Sequence, residues 1–120
     1  MSKKILLIDD DENIREFLGG FLKDLGYEIE EAARLQEALT KLEQRLPDLV
    51  LLDVNLPDAR GSEGLKKVRA ISPNLKVLMV TGDADSQLEE ETKTLGALGY
   101  LTKPFLMEEI QKMLEFHLKD

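Results

Sequence analysis

Residues 4–14 read KILLIDDDENI. Four apolar residues, Ile5 to Ile8, run without a break into Asp9, Asp10 and Asp11. A short continuous apolar run is the pattern of a strand covered on both faces. Its end in a knot of carboxylates needs a reason, because like charges repel and a buried charge is costly unless paired.

Outward from this stretch, the apolar pattern alternates between two periods. Lys4 to Ile8 is a strand, and Ile14, Phe17, Leu18, Phe21, Leu22 and Leu25 follow at helical spacing until Gly26. Tyr27 to Glu31 alternates like an outer strand. Leu35, Ala38, Leu39, Leu42 and Leu46 form a second helical stripe closed by Pro47. Leu49 to Leu52 is a buried strand, "NLPDARG" a loop, and Leu65, Val68 and Ile71 mark a third helix stopped by "SPN". Val77 to Val80 is another buried strand. Residues 86–96 read as a fourth helix with a thin apolar face, Leu88 and Leu95. Gly99 to Thr102 is a short strand, and Leu106, Ile110, Met113 and Leu114 mark the last helix.

Strand and helix thus alternate five times, which predicts an α/β fold: a doubly wound parallel sheet of five strands with helices on both faces. Right-handed crossovers prune the topologies, and ligands of such sheets sit outside the carboxyl ends of the strands at a switch point.

The composition agrees. A chain of 120 residues, 42% hydrophobic and 33% charged, suits one folded domain with a real core. No apolar run is long enough to span a membrane and no signal-peptide pattern opens the chain, so a cytoplasmic location is expected. The absence of cysteine excludes disulfides and thiolate metal sites. A net charge of −8 is a poor match for nucleic acid phosphates and suits protein partners or a cation that gathers carboxylates.

The strand ends are where chemistry collects. The first strand ends in Asp9-Asp10, the third in Asp53, the fourth in Thr81 and the fifth in Lys103. Taken singly, each has an ordinary alternative: paired Asp as a turn or helix cap, Thr as a structural strand end, Lys before Pro as an exposed side chain. Asp11 reads as such a helix cap. In one crevice the four ends make a different pattern. Three carboxylates call for a hard divalent cation such as Mg2+, which takes oxygen ligands. A carboxylate, a hydroxyl and an ammonium beside that cation suit phosphoryl transfer. Asp53 is then the nucleophile, Thr81 a hydroxyl donor and Lys103 a charged donor that pairs with Asp53 beforehand.

The motifs "LLIDDDENIR", "DLVLLDVNLPDARG", "LMVTGDA" and "GYLTKPF" together resemble the receiver domain of bacterial two-component response regulators, the CheY-like superfamily, across essentially the whole chain. The resemblance implies a single receiver domain over residues 1–120 with a flavodoxin-like sheet of order 2-1-3-4-5 and five helices. It implies that Asp53 accepts a phosphoryl group from a histidine kinase or phosphotransfer protein. It further implies Mg2+, with Mn2+ as a substitute, on Asp10, Asp53 and the backbone carbonyl of Asn55, with Asp9 acting mainly through water. Gly82 stands where the family needs room for the donor, and Lys103-Pro104 where it has a cis peptide. Thr81 and Tyr100 carry the switch by resemblance, altering the face made by the fourth helix, fifth strand and fifth helix. Tyr100 also reads as an ordinary half-buried strand aromatic. Asn55 and Asp83 occupy positions that tune the phosphoryl lifetime, and an amide and a carboxylate there look like fast-hydrolysing chemotaxis-type receivers. Asp83 has a plainer reading as a solvated loop carboxylate.

Partners implied are the kinase and a downstream protein or an output domain, with no direct nucleic acid or membrane binding. Homodimerisation through the switching face is left open. Gly19-Gly20 sits mid-helix, either for close approach of a partner helix or as tolerated drift. His117 lies by the last helix's apolar stripe, far from the strand ends, and "EEE" at 89–91 reads as a solvated face. Two rivals stand beside this reading. A haloacid dehalogenase-like phosphohydrolase would use Asp9 as nucleophile and Asp11 as acid/base, but leaves Asp53 and Pro57 unexplained. An unphosphorylated interaction module on the same fold usually lacks an acidic site residue or the lysine, and both are present.

Overall fold

Strands β1 (Lys4–Ile8), β2 (Glu28–Ala32), β3 (Leu49–Asp53), β4 (Lys76–Thr81) and β5 (Gly99–Thr102) alternate with helices α1 (Glu12–Asp24), α2 (Leu35–Gln44), α3 (Glu63–Ile71), α4 (Ser86–Thr94) and α5 (Met107–Leu118). The computed structural model describes residues 2–82 and 85–119. The five strands form one sheet of order β2-β1-β3-β4-β5, and every pairing is parallel. The expected topology therefore holds.

Alternation along the strands divides the core into two layers. Leu6, Ile8, Val50, Leu52, Val77 and Met79 face α2 and α3. Ile5, Leu7, Leu49, Leu51, Leu78 and Val80 face α1 and α5, where Leu18, Leu22, Ile110 and Leu114 close the layer. All five residues of β3 are buried, which is why its sequence runs apolar without alternation. The edge strand β2 alternates instead, and it lies one residue later than the Tyr27–Glu31 expected. The loop after β3 holds a two-residue antiparallel ribbon, Asn55–Leu56 with Ala59–Arg60.

Helix ends follow local chemistry. The Asp11 carboxylate accepts from the backbone N–H groups of Asn13 and Ile14 and caps α1, as expected. Gly26 adopts φ +100 just past α1. Helix α2 stops at Gln44, short of Leu46, whose helical backbone the following Pro47 disfavours; the cap residue Arg45 is already extended at φ −162. The N-terminus of α2 is capped from outside: Asp58 accepts from Leu35 N–H at 2.8 Å and Gln36 N–H at 2.9 Å.

Helix α4 has little hydrophobic hold. Of its residues only Thr92 is buried, and Leu88 and the cap residue Leu95 pack part-buried against the core. A fully buried leucine contributes about 2 kcal/mol, so α4 lacks the anchor that Leu18 and Leu22 give α1. Polar contacts from α3 substitute for it. Ser62 donates its hydroxyl to Glu91, and Arg69 donates to the carbonyls of Leu95 at 2.8 Å, Gly96 at 2.9 Å and Leu75 at 2.6 Å. Glu89, Glu90 and Glu91 are all exposed, as expected of a solvated face, and Glu91 reaches Ser62 from it.

Candidate functional site

Strand register builds the site. Ile8 pairs with Leu52, Asp53 with Val80, and Thr81 with Thr102. The next residue on β1 is Asp9, beside Asp53, and the next on β5 is Lys103, one step beyond Thr81. All of these lie at the carboxyl edge of the sheet, next to the β1/β3 boundary where the strand order reverses.

Asp9 and Asp53 are buried, 2% and 7% exposed, while Asp10 is exposed. Carboxylate oxygens of Asp9, Asp10 and Asp53 lie within 4.8 Å of one another. The Lys103 ammonium reaches Asp9 Oδ2 at 2.9 Å and Asp53 Oδ2 at 3.3 Å. The other oxygens are held by backbone: Asp11 N–H donates to Asp9 Oδ1 at 2.9 Å and Asn55 N–H to Asp53 Oδ1 at 2.9 Å. Lys103 N–H donates to the carbonyl of Thr81 at 2.6 Å, tying the ends of β4 and β5 together. Thr81 itself is buried, and the Lys103-Pro104 bond is cis, as expected.

Electrostatics follow from this crowding. Burial pushes the Asp53 carboxyl above its ordinary pKa; the Asn55 N–H opposes this, the Asp9 charge adds to it, and Lys103 does not cancel it. Burial alone would lower the Lys103 ammonium, but Asp9 and Asp53 together outweigh it and hold its pKa above the usual value.

The donor set fits a hard divalent cation. Three converging carboxylates against one ammonium leave two negative charges within the cluster, all on oxygen ligands, with Asp10 open to water. No nitrogen or sulfur ligand is among the three residues of the cluster, which disfavours zinc.

Beside this cluster lies a cavity of about 480 Å3 between α1 and the start of α5. Ile14, Phe17, Leu18, Pro104, Phe105 and Met107 make it apolar, and Gly82 and Lys103 form its end at the site. Phe17, expected on the buried stripe of α1, is instead 68% exposed. A Cβ on Gly82 would meet nothing within 4 Å, so the space next to Thr81 is open.

The other expected residues fall as follows. Asn55 is exposed and opens the two-residue ribbon. Tyr100 is half-buried and packs on the α2/α3 layer, beside a smaller cavity lined by Thr92 and Lys93 of α4. Asp83 lies outside the described residues. His117 is at the far end of α5, its ring edge-on to Phe116 and its carbonyl bonded to Lys76 at the start of β4. Residue patterns did not reveal Arg15, which donates to the Asp9 carbonyl at 2.7 Å and to Glu31 at 3.2 Å. The one signal was its place one helical turn after Asp11.

Comparison with known proteins identifies the fold's family. The family model described as response regulator receiver domain matches residues 5–115. Sporulation initiation phosphotransferase F of Bacillus subtilis is 36% identical over 98% of this chain and 95% of that protein. The alkaline phosphatase synthesis transcriptional regulatory protein PhoP of the same organism is 37% identical over 99% of this chain, which spans 50% of that protein. Among solved structures, the Vibrio cholerae chemotaxis protein CheY4 superposes with a TM-score of 0.90 at 37% identity, covering 98% of this chain and 100% of that one. The chain belongs to the response regulator receiver domain family.

Proposed function

We propose that Asp53 is the phosphoacceptor of this receiver, and that the single observation carrying this is its place: a buried carboxylate facing both Asp9 and Lys103 at the sheet's switch point. An Asp53 oxygen attacks the phosphorus, and the bond from phosphorus to the donor's imidazole nitrogen breaks. The Asn55 N–H holds Oδ1 and so limits rotation of the carboxylate before attack. Lys103 is already within reach of Oδ2 and passes its charge-assisted hydrogen bond to a phosphoryl oxygen. The Thr81 hydroxyl supplies a second donor. Asp9, Asp10, Asp53 and the Asn55 carbonyl would hold Mg2+. When bound, Mg2+ supplies charge neutralisation for the transferring group.

The apolar groove of Ile14, Phe17 and Phe105 opens at the site and suits docking of the histidine kinase or phosphotransfer protein in the cytoplasm. Transfer then draws Thr81 and Tyr100 into a switch that alters the α4-β5-α5 face, for which the weakly anchored α4 is suited. That face is offered to a downstream protein, an output domain or a second copy. Asn55 and Asp83 set a short phosphoryl lifetime.

The test is intact mass after incubation with acetyl phosphate and Mg2+. A single phosphoryl addition that is lost in Asp53→Asn and on chelation supports the reading. Addition that persists in Asp53→Asn and disappears in Asp9→Asn overturns it in favour of a hydrolase-like nucleophile.

A further inference from the structure

Strand β1 ends at Ile8, yet Asp9 N–H still donates to the Ala32 carbonyl at 3.1 Å. Beyond this bond the chain leaves the sheet, and two residues later Asp11 caps α1. The carbonyl of the Asp9–Asp10 peptide is held instead by the Arg15 guanidinium, whose Nη1 donates to it at 2.7 Å. The same guanidinium is steadied by Nε, which lies 3.2 Å from Glu31 Oε1 on β2. The Arg15 side chain is only 16% exposed. A planar fork gripping two acceptors fixes direction as well as distance, which a lysine ammonium does not.

We infer that Arg15 is a positioning residue for the metal site: by fixing the Asp9–Asp10 peptide it sets where the exposed Asp10 carboxylate stands relative to Asp9 and Asp53. This rests on the Mg2+ reading of the cluster given above. Asp9 has its own restraints at the carboxylate, from Asp11 N–H and Lys103. Asp10, exposed at the turn, depends more on the peptide that carries it. Ligands held by supporting contacts bind metal better than ligands left to rotate.

Two forces act in opposite directions here, which makes the inference testable. As a charge, Arg15 lies near an acidic cluster and opposes a cation, so removing it would tighten Mg2+ binding. As a positioning residue it aids binding, so removing it would weaken it. Calorimetric titration of the full chain with Mg2+ alone distinguishes them. Arg15→Met is expected to raise the dissociation constant about 10-fold, and Arg15→Lys, which keeps the charge and one donor, to raise it less. Glu31→Gln, a milder change should Arg15→Met fold poorly, is expected to weaken binding in the same direction. The metal-free melting temperature is measured alongside, since a merely structural role would lower it and leave the dissociation constant in place. An unchanged or smaller dissociation constant in these variants overturns the inference and leaves the metal site standing. Absence of Mg2+ binding by the unsubstituted chain overturns the metal reading and the inference with it.

Discussion

The Lys103 ammonium stands closer to Asp9 than to Asp53, 2.9 Å against 3.3 Å, so the cation expected to serve Asp53 is shared with its neighbour. Both carboxylates are buried, and one ammonium does not satisfy both charges. The remaining repulsion is one cause of the raised Asp53 pKa, after burial itself.

A group whose pKa rises on folding stabilises the fold below its unfolded pKa and loses that contribution as pH rises through the folded one. For Asp53 the loss begins above its ordinary value of 3.8. At pH 7 without metal, Asp53→Asn is therefore expected to melt higher than the unsubstituted chain. The gain shrinks toward zero as pH falls to about 3.8. Asp9→Asn removes one of the charges that hold Asp53 up, so carbon-detected NMR titration should show Asp53 ionising at lower pH. A higher value in Asp9→Asn would contradict the shared-cation account.

Gly20 sits on an exposed position in the middle of α1, and a Cβ there meets nothing within 4 Å. Gly20→Ala is therefore expected to stabilise the chain by about 1 kcal/mol in chemical denaturation. The same variant separates the two readings of the Gly19-Gly20 pair. If a partner helix packs there, phosphoryl transfer from the kinase slows while transfer from acetyl phosphate does not. Equal rates from both donors assign the glycine to drift.

Which features were legible follows from where their causes lie. Strands β1, β3 and β4 were readable because both faces are covered and the residues themselves are apolar. Asp9, Asp53 and Thr81 were readable because each ends such a run, and Lys103 because it follows the short strand β5; parallel register brings the ends together. Strand β2 was displaced by one residue because Glu28, Glu30 and Glu31 blur its alternation at the sheet edge. The Asn55–Arg60 ribbon is too short for any period. Arg15, Asp58 and Arg69 went unread for a different reason: they bond backbone groups of other elements, and a carbonyl or N–H leaves no mark in residue type.

Asp58 illustrates the consequence. Burial raises its carboxyl, but the N–H groups of Gln36 and Leu35 more than offset this and lower its pKa below the ordinary value of 3.8. The sign is opposite to that of Asp53. The stability it contributes is present above 3.8 and is lost as pH falls through the lower folded value. Asp58→Ala is expected to cost about 1 kcal/mol near neutral pH, read from denaturant midpoints. The cost should fade in acid. A cost that persists unchanged below the folded pKa would mean the side chain acts by packing and not as a cap.

Arg69 carries the remaining weight on α4. Its guanidinium sits among the last carbonyls of that helix and at Leu75, and burial lowers its pKa. With only Thr92 of α4 buried, loss of this clamp leaves part-buried carbonyls without a donor, at about 1–3 kcal/mol. The Ser62–Glu91 bond is a second tie, one turn earlier on α4. Arg69→Met is therefore expected to speed amide hydrogen exchange in residues 88–97 more than in β3 or β4, and Ser62→Ala to do so to a smaller degree. Uniform acceleration across the sheet would show that Arg69 supports the whole domain. Unchanged exchange in residues 88–97 would show that the half-buried Leu88 and Leu95 hold α4 without it.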